Sequence, residues 1–304
     1  MSRVAAVVVA WNGGEAVERC IASLIGQGVA PLVVVDNGSR PSERARLERL
    51  YGGVDAIQLI LLDRNTGLAE GANIGARAAL ESPEPDALLL VTQDVVAAAG
   101  AVRTLDEARR EKAAGIAGPL VLDATTGAEL SRGERVIPAL ICVPRTLLRP
   151  RTTRADPYEV SGLMGCLLLV SAECFRETGG FDPAFFAYYE EVDLCLRARA
   201  AGFTLLCVPQ ARVTHDGMRG FLSGFTPLAA ELKARNLVWL MRKHAEPWHW
   251  LVFVPTYVLL LLASAVLYLL RGRIDVIAAM MRGARAGVFD RPLPGAGMLQ
   301  EDGE

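Results

Sequence analysis

No Gly-x-Gly-x-x-Gly follows the first apolar run of this 304-residue chain, and no Gly-x-x-x-x-Gly-Lys-Ser/Thr occurs anywhere in it. The first absence excludes the dinucleotide fingerprint and the second excludes a P-loop. An excess of one charge is lacking too. Lys and Arg number 32 against 34 Asp and Glu, a net charge of −2, which argues against a nucleic-acid surface. The six cysteines (Cys20, Cys142, Cys166, Cys174, Cys195, Cys207) form no Cys-x-x-Cys pair. Most sit inside apolar helix or strand patterns and read as reduced core residues of a cytosolic protein. No Ser/His/Asp or Cys/His constellation for nucleophilic catalysis is visible, and there is no repeat or low-complexity tract. Val4–Ala10, followed by polar Trp11-Asn12-Gly13-Gly14, is too short for the apolar core of a secretory signal.

What is present begins with four short apolar runs: Val4–Ala10, Leu32–Val35, Ala56–Leu62 and Ala87–Val91. Between them lie helical patterns. Val17, Cys20, Ile21 and Leu24 share one face of Glu15–Ile25, and a second helix is predicted from about Leu68 to Leu80. Continuous apolar strands alternating with amphipathic helices predict an α/β sheet buried on both faces. Ligands of such sheets bind at the carboxyl ends of the strands. Those ends carry Trp11-Asn12, Asp36-Asn37-Gly38-Ser39, Asn65-Thr66-Gly67 and Gln93-Asp94.

Singly these segments are ordinary. Asp-Asn-Gly-Ser is a common turn, and the acids Glu190, Glu191 and Asp193 suit the start of a helix. Their order is more telling. Val33–Ser39, Asn65–Gly75 and Leu90–Val95 are followed by Gly179-Gly180-Phe181-Asp182, Phe185–Arg197 and Ala201-Gly202-Phe203. Over residues 4–245 this series resembles the inverting family 2 glycosyltransferases, with a rhamnosyltransferase-like appearance.

The resemblance implies a GT-A fold, a Rossmann-like mixed sheet that binds a nucleotide sugar. It implies transfer of a sugar from a nucleotide-diphosphate donor to an acceptor hydroxyl. Asp36 inherits the base contact. Asn12, Asn65, Gly67, Gly71 and Asn73 line the nucleotide pocket. Asp94 holds the Mg²⁺ or Mn²⁺ that carries the diphosphate, with His215 as a second contact. Glu191 is the general base, Glu190 its fallback, and Asp193 orients the loop and caps the helix. Two departures stand out. Gln93-Asp94 replaces the usual Asn-Pro-Asp or Asp-x-Asp, and Glu191 replaces an Asp. Inversion by one displacement needs one carboxylate base and a cation for the leaving group, and no enzyme nucleophile.

The last third changes character. Leu251–Leu270 has no charge in 20 residues, about 30 Å of helix, the thickness of a bilayer core. Trp248, Trp250 and Tyr268 stand where an aromatic belt forms. Residues 231–250 and 271–290 each carry four Lys/Arg, so the positive-inside comparison ties. Ile274, Ile277, Ala278, Met281 and Arg285 fall at helical spacing, with Arg282 and Arg285 available to lipid headgroups. A spanning helix and one lying in the inner leaflet both stay open. Arg145–Pro157 reads as a mobile loop over the acceptor side.

The expected organisation is a catalytic domain at 1–245, a membrane helix at 246–272 and a basic amphipathic helix with a flexible tail at 273–304. Placement is expected at the cell membrane with the catalytic domain on its cytoplasmic side, acting on a lipid-linked or cell-envelope glycan. Two alternatives are a nucleotidyltransferase, which would show Arg and Lys in a Gly-rich first loop, and an inactive membrane scaffold.

Overall fold

The computed structural model describes residues 2–81, 84–137, 139, 141, 152–216 and 226–289. The four apolar runs form β1 (Val4–Ala10), β2 (Val29–Asp36), β3 (Ile57–Leu61) and β4 (Ala87–Thr92), paired in parallel in the order β3-β2-β1-β4. β1 is buried along its whole length. Its side chains alternate between two cores, with Val4, Ala6 and Val8 in one and Ala5, Val7 and Val9 in the other, as the two-residue period of a strand requires.

Helices α1 (Glu15–Leu24), α2 (Pro41–Tyr51) and α3 (Gly67–Glu81) connect these strands. α1 fills the first core with Val17, Cys20, Ile21 and Leu24, and α3 the second with Ala69, Ala72, Ala76 and Ala79. α3 lies unusually close to the sheet: a Cβ on Gly75 would stand 2.4 Å from Val7 Cγ1. Only Leu47 of α2 is buried, so its sequence shows no apolar stripe.

The second half of the sheet is mixed. It contains β5 (Val95–Ala97), β6 (Ile116–Asp123), β7 (Glu129–Ser131), β8 (Tyr158–Val160), β9 (Leu167–Ser171) and β10 (Leu205–His215), with helices α4 (Ala101–Glu111), α5 (Ala172–Thr178) and α6 (Glu190–Ala200). The order is β3-β2-β1-β4-β9-β6-β10-β5, with β7 on β6 and β8 on β10. β9 runs antiparallel to both β4 and β6, and β10 runs parallel to β6. The carboxyl ends of β1, β2, β4, β6 and β10 and the start of β9 therefore share one edge. Cys20, Cys166, Cys174, Cys195 and Cys207 are buried, and none is in a disulfide. Burial pushes the thiols of Cys20 and Cys174 up to about 12, as expected for inert core cysteines. Cys142 and residues 145–151 of the expected loop lie outside the described residues.

Three helices complete the chain: α7 (Pro227–His244), α8 (His249–Leu270) and α9 (Ile274–Phe289). α7 packs against α9 at backbone contact. A Cβ on Gly283 would lie 2.0 Å from the Glu231 carbonyl oxygen, and one on Gly287 would lie 2.9 Å from that of Arg235. Arg242 donates to the Gly287 and Val288 carbonyls. The register rises together along both helices, so they run parallel. α8 returns alongside them in the opposite direction, its Tyr257 hydroxyl donating to the Ala234 carbonyl at 2.8 Å. Ala230, Ala234, Val238, Phe253, Tyr257, Val276 and Met280 share one core. The expected boundary at 245 thus falls between helices that bury each other, and removal of residues from Trp248 onward would uncover one side of α7.

Gly283→Ala is expected to force α7 and α9 apart and destabilise by about 1–3 kcal/mol, several degrees in Tm for a chain of this size. Ala278→Val, on the exposed side of α9, serves as the control. Equal melting temperatures for the two variants would contradict the backbone contact.

Candidate active site

Asp36 ends β2 and is fully buried. Its Oδ1 accepts from the Ser39 amide at 3.2 Å, while Oδ2 has no partner among the described residues. Burial pushes its carboxyl above the ordinary value, against the pull of Ser39 and Arg44. Around it three asparagines hold loops. Asn12 accepts from the Arg40 amide at 2.9 Å. Asn65 Oδ1 accepts from Asn37 and from the Gly67 amide. Asn73 brackets Phe181, donating to its carbonyl at 2.7 Å and accepting from its amide at 2.9 Å. Gly67 and Gly71 mark close approaches, Gly67 to the Phe186 carbonyl and Gly71 to Val9 and Asn37.

The Gln93 departure has a physical reason. Its Oε1 accepts from the Trp11 amide at 2.7 Å and its Nε2 donates to the Trp11 carbonyl at 3.1 Å. This two-way bond continues the β1–β4 ladder past its end. An ionised carboxylate, which only accepts, cannot make it.

Beside it, Asp94 Oδ1 accepts from the Thr92 hydroxyl at 2.7 Å and Oδ2 lies 3.2 Å from His215 Nε2. Burial alone would raise the Asp94 carboxyl. The His215 bond and charge, together with Thr92, outweigh it and hold the group below its usual range. His215 Nδ1 is buried without a partner among the described residues. No cluster of three or more His, Cys, Asp or Glu ligands occurs among the described residues. Asp94 and His215 nevertheless offer one oxygen and one nitrogen, a donor set that suits a divalent ion completed by diphosphate and water.

The acidic segment follows a strained turn. Phe186, Tyr188 and Tyr189 all have positive φ, at 64°, 70° and 69°. Such residues persist only where the surroundings hold them. Here α7 does so from about fifty positions away in sequence. Asn236 Nδ2 donates to the carbonyls of Phe185, Ala187 and Tyr188 at 2.8–3.0 Å, and Arg235 donates to those of Ala184 and Phe185. Burial lowers the Arg235 guanidinium to about 10. On its other side the turn touches α3, the Ala69 amide donating to Phe186 at 3.1 Å.

Glu190 and Glu191 are both buried at the start of α6. The Glu191 stem lies on the bare backbone of Gly165, where a Cβ would stand 2.7 Å from Glu191 Cβ. Gly165 precedes β9 on the edge that carries Asp94. The next residue, Cys166, accepts at its carbonyl from the Thr92 hydroxyl that also bonds Asp94, so the seat of Glu191 and Asp94 stand on the same stretch of that edge.

Asp193 is not the helix cap, because the N-cap position of α6 is Tyr189 and Asp193 lies inside the first turn. Its fully buried carboxylate faces Arg197 at 2.7 Å, His244 at 2.7 Å and Lys243 at 2.8 Å. Burial opposes its ionisation, but the His244, Lys243 and Arg197 contacts prevail and push it down to about 2. Lys243 also reaches Asp182 at 2.7 Å. Sequence reasoning missed Arg235, Asn236, Lys243 and His244. The available signal was a poor helix former, Asn236, in mid-helix beside a charge on an otherwise apolar face. A separate cleft of about 810 Å³ opens at the other end of β10 from His215, among Arg135, Arg154, Arg199 and Phe203, and touches none of the predicted site residues.

The chain is similar to known proteins in sequence and in fold. Residues 5–179 match the family described as "Glycosyl transferase family 2". The chain belongs to that family. It is 31% identical to the N-acetylglucosaminyl-diphospho-decaprenol L-rhamnosyltransferase of Mycobacterium tuberculosis, over 80% of this chain and 85% of that one. It is 24% identical to the dTDP-rhamnosyl transferase RfbF of Shigella flexneri, over 81% and 82% of the two chains. In fold it is similar to the mannosyltransferase PcManGT of Pyrobaculum calidifontis, solved with GDP-Man and Mn²⁺. There the TM-score is 0.60 and the identity 15%, covering 95% of this chain and 88% of that one. The chain is thus a glycosyltransferase with a GT-A sheet.

Two expectations follow. Asn236→Ala removes the donor for three carbonyls and is expected to cost about 1–3 kcal/mol. It should lower sugar transfer at least tenfold while leaving donor affinity, read by calorimetry, nearly unchanged; equal losses in both would make Asn236 a general stability residue. The second concerns pH. Asp193 is depressed in the folded state, so its stabilisation is complete above the ordinary carboxyl pKa of about 4 and is lost as pH falls towards 2. On the order of 2 kcal/mol should disappear across that window, and denaturant titrations of Asp193→Asn should show a correspondingly flatter acid limb.

Proposed function

We propose that this glycosyltransferase moves a 6-deoxyhexose of the rhamnose type from a nucleotide diphosphate to a hydroxyl of a polyprenyl-diphosphate-linked glycan, with inversion. The observation that carries the reading is the gathering of Asp36, the Asp94–His215 pair and Glu191 on one edge of the sheet. The relatives named above supply the substrate class. The two-way bond of Gln93 accounts for one departure without loss of the Asp94 carboxylate, which disfavours an inactive scaffold. The sequence Asn12-Gly13-Gly14-Glu15, lacking Arg and Lys, disfavours a nucleotidyltransferase.

In this mechanism Asp36, buried with one open oxygen, receives a base N–H of the donor. Asp94 and His215 would hold a divalent cation, which when bound neutralises charge on the departing diphosphate. Glu191 takes the proton of the acceptor hydroxyl as that oxygen bonds to the anomeric carbon. The carbon–phosphate-oxygen bond breaks on the opposite face, and the nucleotide diphosphate leaves with the bonding pair. Glu191 is one methylene longer than the usual Asp, and its seat against Gly165, which has no side chain, accommodates that length. Glu190 is the fallback base. Asp193, held below the usual carboxylate range by its bonds to His244, Lys243 and Arg197, stays ionised and positions α6 below the base. α8 is long and apolar enough to belong to a membrane, and we place the active site on its cytoplasmic side, where nucleotide sugars are made.

Glu191→Gln should reduce turnover by about 10²–10⁴-fold at saturating dTDP-rhamnose, with donor binding retained, and Glu190→Gln should cost less. Near-normal turnover in Glu191→Gln would remove it as the base. Asp94→Ala should abolish cation-dependent donor binding and His215→Ala should weaken it. Full turnover in excess chelator would rule out the cation.

A further inference from the structure

The three C-terminal helices decide how the apolar segment meets a membrane. α7 and α9 run parallel, and their backbones touch where Gly283 meets the Glu231 carbonyl. Arg282 pairs with Glu231 at 2.9 Å across the same contact. α8 connects the far end of α7 to the near end of α9. If α8 crossed a bilayer, its two ends would lie about 30 Å apart on opposite faces. Because α9 runs back beside α7, the part of α7 that touches it would then lie within the hydrocarbon, together with Arg235, Asn236 and the turn they hold. The Tyr257–Ala234 bond joins the middle of α8 to α7, and Phe253 and Tyr257 share a core with Ala230 and Val238.

The outer side of α8 is nonetheless built for an apolar phase. Leu251, Val254, Val258, Leu262, Val266 and Leu269 recur at helical spacing along the whole helix, and all are exposed, Leu251 at 79%. No charged residue interrupts them. An exposed apolar stripe of this length marks an interaction surface. α9 extends it with Ile274, Met281 and Val288, also exposed. Arg282 and Arg285 stand beside these residues, with side-chain exposure of 60% at Arg282. Residues 271–289 carry four arginines against one aspartate. Trp248, 56% exposed, lies at the other end and supplies an indole of the kind that favours a membrane interface. An apolar stripe bordered by arginines and an indole fits an anionic lipid surface. A second protein copy would need no such cationic border.

We propose that α8 and the outer face of α9 lie in the plane of an anionic bilayer, one leaflet deep, and that α8 does not cross it. This extends the membrane placement above but does not depend on the sugar or the acceptor.

The test uses the full chain and vesicles of phosphatidylglycerol and phosphatidylcholine. Tryptophan is introduced as Leu259→Trp, at mid-helix, or as Leu269→Trp, near its end. Quenching by lipids brominated at different acyl positions reports depth. The expected result is the same shallow depth for both positions and binding that weakens several-fold in pure phosphatidylcholine. Val258→Glu/Leu262→Glu, both on the exposed stripe, should lower the vesicle-bound fraction at least about tenfold, with dTDP-rhamnose binding unchanged. Arg285→Glu should weaken binding to the anionic vesicles alone. Mid-bilayer quenching at position 259 with interfacial quenching at 269 would overturn the proposal in favour of a spanning helix. A chain that ignores vesicles and forms a dimer lost in the double variant would overturn it in favour of a self-interface. Loss of donor binding in the unmodified chain bears on the proposed function instead, because vesicle binding is read without a donor.

Discussion

One side-chain amide holds the turn that leads into α6. Asn236 donates from a single nitrogen to the carbonyls of Phe185, Ala187 and Tyr188. Without that donor three non-glycine residues with positive φ would relax towards ordinary backbone. The turn aims Glu190 and Glu191, presses Phe186 against α3 and places Asp193 within reach of Lys243 and His244. The position of these carboxylates therefore depends on a helix that supplies none of them.

The buried acids of the candidate site are sorted by surroundings. Asp36 is buried with little compensation, and its carboxyl is raised. Asp94 and Asp193 are buried with cationic or hydroxyl partners, and theirs are lowered. Burial acts alike on all three. What differs is the company, a Ser amide and a distant Arg for the first against His or Lys and Arg at contact for the others. Asp193, which holds the most partners, has no capacity left for a substrate, whereas Asp36 keeps an open oxygen.

Much of the first half could be read from residue order. Strands that are apolar on every side chain announce a sheet buried on both faces, and β1–β4 fall where their apolar runs do. α2 was invisible because one buried leucine makes no stripe. The antiparallel entry of β9 was invisible because strand direction is not a local property. Gln93 showed itself as a departure, but its bond to Trp11 spans 82 positions, so only the structure could give its purpose. α9 has two faces, and only one was legible. The spacing of Ile274, Met281 and Arg285 marks a side that is exposed in the structure, whereas the buried side is Ala279, Gly283, Ala284 and Gly287 with Val276 and Met280. Small residues make the tighter contact when two backbones approach, and periodicity counted on large side chains does not register that side.

Ala234, Arg235 and Asn236 are consecutive in α7, yet the first accepts from Tyr257 of α8 while the next two hold the turn at 184–188. Each residue of a helix turns about 100° from the last, so these partners are sorted by angle alone. A substitution on α7 disturbs one of them. Deleting or inserting a single residue before Ala234 would rotate everything upstream of the change relative to all of them, separating Glu231 and its Gly283 contact from the clamp. Residue count, more than residue identity, is what this helix cannot vary. Among related chains α7 should therefore drift in composition while its length stays constant between the turn it holds and the helices that cover it.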